Sequence, residues 1–337
     1  MTERKLSQYE SRWPHRLAVL LCGATFPLIW VGGLVTTYNA GMAVPDWPST
    51  YGYNLLAYPP ATWFFGPWDL FIEHGHRLLG ATVGLLAIAF AASVFICDPR
   101  RWMRASAVIA LALVIVQGGL GGTRVLLDER QLAMVHGCLG PAFFGYSVAL
   151  AVFTSRLWHD ADPAETPAGG KLHRLAFMTV ALAYLQLVLG AQLRHIPIMA
   201  SPRAFQAAVV FHLATGLIVA GHALALTRHI VCHARSQRAL LRPAVLLSGL
   251  IFCQLLLGPA SWVVKYGWPG WLAELPLTAA HTIHANGMVQ SLIVTGHVAL
   301  GSLVIAAAVL VFVRSLRLLR TKTVAIGSSA LLMGMTA

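Results

Sequence analysis

The chain has 337 residues, of which 57% are hydrophobic and only 11% charged, against about 25% charged in a soluble globular domain; this excludes a soluble fold. The formal net charge of +12 does not indicate nucleic acid, because the basic residues gather between apolar runs and form no basic helix with interleaved aromatics. Cys22, Cys97, Cys138, Cys232 and Cys253 lie in or at the ends of apolar runs, and without CxxC or CxxCH spacing they exclude covalent c-type heme and argue against a zinc ribbon.

The opening stretch MTERKLSQYESRWPHR contains Glu3 and Glu10, unlike a mitochondrial transit peptide. The apolar run that follows is too long for a cleaved signal and reads as the first membrane helix of a bacterial plasma-membrane protein. Eight runs are long enough to cross a hydrocarbon core of about 30 Å: roughly 16–37, 70–96, 103–124, 132–155, 173–194, 205–227, 243–264 and 285–313. In lipid such runs must be helices, since each backbone group has to be satisfied within its own segment. The last run is the least purely apolar, and the apolar tail 324–335 is too short to span.

Lys and Arg cluster at the N-terminus, in the second, fourth and sixth loops and at the C-terminus, whereas residues 39–69 contain neither. Both termini are therefore expected in the cytoplasm. A repeat runs through the chain: Gln117-Gly-Gly-Leu-Gly121, Gln186-Leu-Val-Leu-Gly190 and Gln254-Leu-Leu-Leu-Gly258 recur at intervals of 69 and 68 residues. The expected fold is an all-α integral membrane protein of eight transmembrane helices, built as two parallel-repeat four-helix bundles with pseudo-twofold symmetry, over residues 1–160 and 161–337. The small residues of 118–122 and Gly32-Gly33 allow close helix packing or the entry of a flat macrocycle.

Histidine carries the chemistry. His76, His136, His212 and His297 sit near the same membrane face in the second, fourth, sixth and eighth spans, each in the string His-x-x-x-Gly. The glycine four residues on shares the histidine's helix face and can leave room for a porphyrin. Two histidines facing each other at one depth can hold a heme iron from both sides. Glu73 lies three residues before His76, about 4.5 Å away along the axis on the same face. It can be solvated, pair with Arg77 or Arg124, or act on protons and developing charge beside a heme edge. Arg77, Arg124 and Arg194 can meet heme propionates or snorkel to the interface.

The string from Gly32 to Pro48, the E-x-x-H-R motif at Glu73 to Arg77, and Gln117-Gly-Gly-Leu-Gly-Gly-Thr-Arg124-Val resemble the heme A synthase family. The similarity is strong over 29–140 and weaker through His212 and His297. The resemblance implies two pseudo-symmetric four-helix bundles and oxidation of a methyl substituent of heme O to the formyl group of heme A. It implies further that His76 and His136 flank the substrate heme O, that His212 and His297 ligate a permanent heme b, and that Glu73 is catalytic. Implied partners are a heme O synthase, terminal oxidase assembly factors, an electron-transfer partner and the lipid bilayer. Some members carry a cysteine pair in an outer loop; here that loop has none, so no disulfide is expected. The chain departs from the family most in 265–296, where His281 and His284 stand and His284 competes with His297 as the last ligand. A diheme b-type electron-transfer subunit is the alternative; it would use the same four histidines and has no need of Glu73.

Overall fold

A computed structural model describes residues 11–321 except 198, 274, 276–277 and 279–281. His281, the first ten residues and the 324–335 tail lie outside the described residues. Among the described residues eight helices are long and apolar enough to cross a membrane: α1 (Trp13–Thr37), α2 (Trp68–Cys97), α3 (Arg101–Leu126), α4 (Arg130–Phe153), α5 (Gly169–Arg194), α6 (Pro202–Ala234), α7 (Arg238–Tyr266) and α8 (Met288–Leu318). The chain is thus an all-α, multi-pass membrane protein. Most helices outrun the expected spans; α6 reaches Ala234 and α8 covers 288–318. An apolar run ends at its first charge, whereas a helix continues while its backbone bonds are satisfied and long basic side chains reach the interface. The expected weakness of the last span is not seen, because α8 is the most enclosed of the eight.

Two of the spanning helices begin on a side-chain cap. Ser201 accepts the Ala204 amide at the head of α6, with Pro202 in the first turn, and Glu129 accepts the Gln131 amide at the head of α4. A two-stranded parallel ladder was not expected: Ala164–Thr166 pairs with Leu319–Thr321. Three-residue strands leave no alternation to read.

The helices α1 to α4 close one ring, each touching the next and α4 touching α1, and α5 to α8 close another in the same order. Between the rings α4 meets α8, α8 meets α1, and α4 meets α5. Exchanging α1 with α5, α2 with α6, α3 with α7 and α4 with α8 carries α4–α8 onto itself and each of the other contacts onto another of them. At the basic end each ring has an apolar core. Leu21, Phe90, Met103 and Leu150 fill the first, and Leu172, Leu226, Leu247 and Val311 fill the second. Two histidines tie this end: His15 Nδ1 meets Ala151 O at 3.1 Å and Thr154 Oγ1 at 3.3 Å, and His173 Nε2 meets Ser315 O at 2.9 Å. The polar histidines of interest are therefore left to the opposite, loop end.

Candidate functional site

At the loop end the four histidines come together in two pairs. The imidazole centroids of His76 and His136 are 6.3 Å apart, and those of His212 and His297 are 6.4 Å apart. Two imidazoles bound to one metal at about 2.0–2.1 Å each place their centroids about 6 to 6.5 Å apart. Both pairs thus have the separation of ligands on a single iron. All four rings are half-buried. The Nδ1 atoms of His76, His212 and His297 are buried without a hydrogen-bond partner. His136 Nδ1 lies 3.1 Å from Gln117 O; donation there fixes the tautomer and leaves Nε2 free, as in metal-bound histidines. His284 is exposed before the start of α8, and it is His297 that faces His212.

In three of the four His-x-x-x-Gly strings the glycine lies against a glutamine amide. A Cβ on Gly140, Gly216 or Gly301 would lie 3.3, 3.1 or 3.3 Å from the amide nitrogen of Gln117, Gln186 or Gln254, respectively. It is the glycines of the neighbouring helices that accommodate the imidazoles. A Cβ on Gly32, Gly121, Gly190 or Gly258 would sit 2.7, 3.0, 3.1 or 3.7 Å from Cε1 of His76, His136, His212 or His297. The Gln-x-x-x-Gly repeat is therefore the counterpart of His-x-x-x-Gly on the facing helix. The matching four-residue period of the two strings was a signal for this pairing. Gln117 and Gln254 also donate to the carbonyls of His136 and His297 at 2.7 and 2.8 Å, and the Gln186 amide meets the His212 ring at 3.3 Å.

Beside the first pair stands a buried ionic cluster. Glu73 is 1% exposed; its Oε1 accepts from Arg77 Nη2 at 2.9 Å and its Oε2 from the Val44 amide at 3.2 Å. Arg77 further donates to the carbonyls of Asp46 (2.6 Å), Ser49 (2.9 Å) and Val44 (2.7 Å). The expected Glu73–Arg77 pair forms, and it fastens the loop between α1 and α2 over the site. Buried His74 meets Thr50 Oγ1 at 3.1 Å and packs on Tyr58, an anchoring role that sequence reasoning missed. Burial alone would raise the Asp46 carboxyl, but donors from Gly52, Ser49 and Tyr51 hold it below the usual carboxylate range. From this loop Trp47 lies flat against Gly122 of α3, where any side chain would collide with the indole. Nothing lies within 4 Å of a Cβ on Gly118 or Gly119, so the two ends of the glycine run serve differently.

Of the other two arginines, Arg194 donates to Gly33 O at 2.8 Å and Thr37 Oγ1 at 2.6 Å, joining α5 to α1. The Arg124 guanidinium lies against Gly41. Among the described residues no group of three or more His, Cys, Asp or Glu could hold a metal ion.

Residues 67–201 match the COX15-CtaA family model, described as cytochrome oxidase assembly protein. The chain is 31% identical over 147 residues to a heme A synthase of Bradyrhizobium sp. (strain BTAi1), covering 40% of each chain. It is 29% identical over 190 residues to a heme A synthase of Shouchella clausii, covering 53% of this chain and 58% of the relative. It is also 28% identical over 172 residues to a protoheme IX farnesyltransferase of Haloarcula marismortui, covering 47% of this chain and 33% of that protein. The matches thus span about half the length of the heme A synthases, and a smaller part of the farnesyltransferase.

Proposed function

We propose, from the match of residues 67–201 to the COX15-CtaA family model of cytochrome oxidase assembly proteins, that the chain is a heme A synthase. It takes heme O as substrate between His76 and His136 and oxidises one methyl substituent to a formyl group. The observation that carries this reading is an asymmetry between two otherwise matching histidine pairs. Glu73 and Arg77 flank His76, while the corresponding places around His212 hold Val209 and Leu213. Chemistry therefore belongs to the first pair, in residues 1–160. The second pair, in residues 161–337, holds a permanent heme b, which supplies one-electron redox capacity.

The protein's own groups do the rest. Glu73 stabilises positive charge that builds up as the methyl group loses electrons, and it accepts a proton. Arg77 holds both the carboxylate and the covering loop. Arg124, close to that loop, offers its charge to a propionate. Arg194 serves the same end from the junction of α5 and α1. The substrate comes from a heme O synthase, and the product passes to terminal oxidase assembly factors. With water supplying the oxygen atom, conversion of the methyl to the formyl group releases four electrons and four protons, and an electron-transfer partner takes the electrons.

Expression of the chain together with a heme O synthase, followed by mass spectrometry of the extracted heme, tests the reaction. A hydroxymethyl or formyl derivative is expected; recovery of unchanged heme O alone would reject it. The membrane is the bacterial plasma membrane, with both termini cytoplasmic, supported by the bias of Lys and Arg toward one set of loops. A reporter fused after Ala337 is expected to be active only on the cytoplasmic side, and activity only outside would reverse the orientation.

A further inference from the structure

The reciprocal motif described above has four corners, and one differs. On α3, α5 and α7 a glutamine stands four residues before the glycine that faces the imidazole: Gln117 before Gly121, Gln186 before Gly190, Gln254 before Gly258. On α1 the glycine facing His76 is Gly32, and four residues before it stands Leu28. At three corners the glutamine amide fills the space beside the glycine that follows the histidine. At the fourth, nothing lies within 4 Å of a Cβ on Gly80. Those three amides bond across the helix pair, to His136 O, His297 O or the His212 ring. His76 has no such tie, and its Nδ1 is buried and unpartnered. An unpartnered Nδ1 is shared by His212 and His297, so the distinguishing feature is the missing amide and the open space it leaves.

We propose that Leu28 makes His76 the releasable ligand of the molecule, so that the His76–His136 pair exchanges its heme while the His212–His297 pair retains its own. The inference rests on the reading that both pairs hold heme. A polar bond between membrane helices restrains the segment that carries the histidine, and the partners that orient a metal ligand typically change affinity about 10- to 100-fold. Without a glutamine amide beside Gly80, His76 has room to turn away from an iron. A substrate site needs that freedom and a resident cofactor site does not.

Heme release from the purified, heme-loaded full chain into excess apomyoglobin tests this. A fast and a slow phase are expected. Leu28→Gln should slow the fast phase about tenfold or more, leave the slow phase unchanged and shift the heme spectrum at that site toward low spin. Gln254→Leu, which removes the bond to the His297 carbonyl, should accelerate the slow phase by a similar factor. Leu28→Met, which fills space without an amide, should leave both phases and the spectrum as they are. If Leu28→Gln does not fold, Gln254→Leu decides by itself. Two bound hemes whose release rates are unmoved by either change, or a Leu28→Met effect equal to that of Leu28→Gln, overturns the inference alone. Absence of heme at both pairs overturns the functional reading and the inference with it.

Discussion

Replacing Glu73 by Gln is expected to lower conversion of heme O to heme A by about a hundredfold or more, the scale for losing a positioned proton-transfer group, while heme binding survives. The substitution keeps the size of the side chain and an acceptor for the Val44 amide, and removes the negative charge. The expected loss of rate has to be separated from a loss of folded protein. Glu73 and Arg77 form a buried pair, with side chains 2% and 9% exposed, and stripping one partner from such a pair costs about 3–5 kcal/mol when the other is left uncompensated. Arg77 retains three loop carbonyls, so the penalty is expected below that range, as a reduced yield and a looser 38–67 loop. Turnover per folded, heme-loaded molecule is therefore the quantity to measure. A low yield with near-normal turnover would mean that the pair only fastens the loop, and the catalytic assignment of Glu73 would fall.

His212→Ala and His297→Ala are each expected to remove or disorder the second heme. Loss of an axial ligand opens the iron to water or exchange, a larger effect than the roughly 10- to 100-fold change that follows loss of an orienting partner. The low-spin heme b spectrum of the purified protein should disappear in the double variant. His284→Ala should leave it intact, because His284 is exposed outside α8 while His297 faces His212 at 6.4 Å. A double variant with an undiminished low-spin spectrum would overturn the assignment of this pair.

The amino-acid sequence by itself determined the membrane class and the eight spans. Each run exceeds the length of a bilayer core, and backbone groups in lipid have to be satisfied locally, so those helices depend little on their neighbours. It also singled out the four histidines by a shared string and depth, and Glu73 by its unusual setting. The pairing of the histidines, which only the family resemblance implied, took its geometry from the tertiary structure, since it depends on how rings of helices close. Tertiary structure also decided what the glycines accommodate. Gly140, Gly216 and Gly301 lie against glutamine amides, and the Gln–His bonds join residues 19, 26 and 43 positions apart. Arg77 was legible as a charge beside Glu73, but its grip on the carbonyls of Val44, Asp46 and Ser49 was not. A carbonyl is present at every residue and leaves no mark in a sequence; only the path of the loop brings those three within reach of one guanidinium.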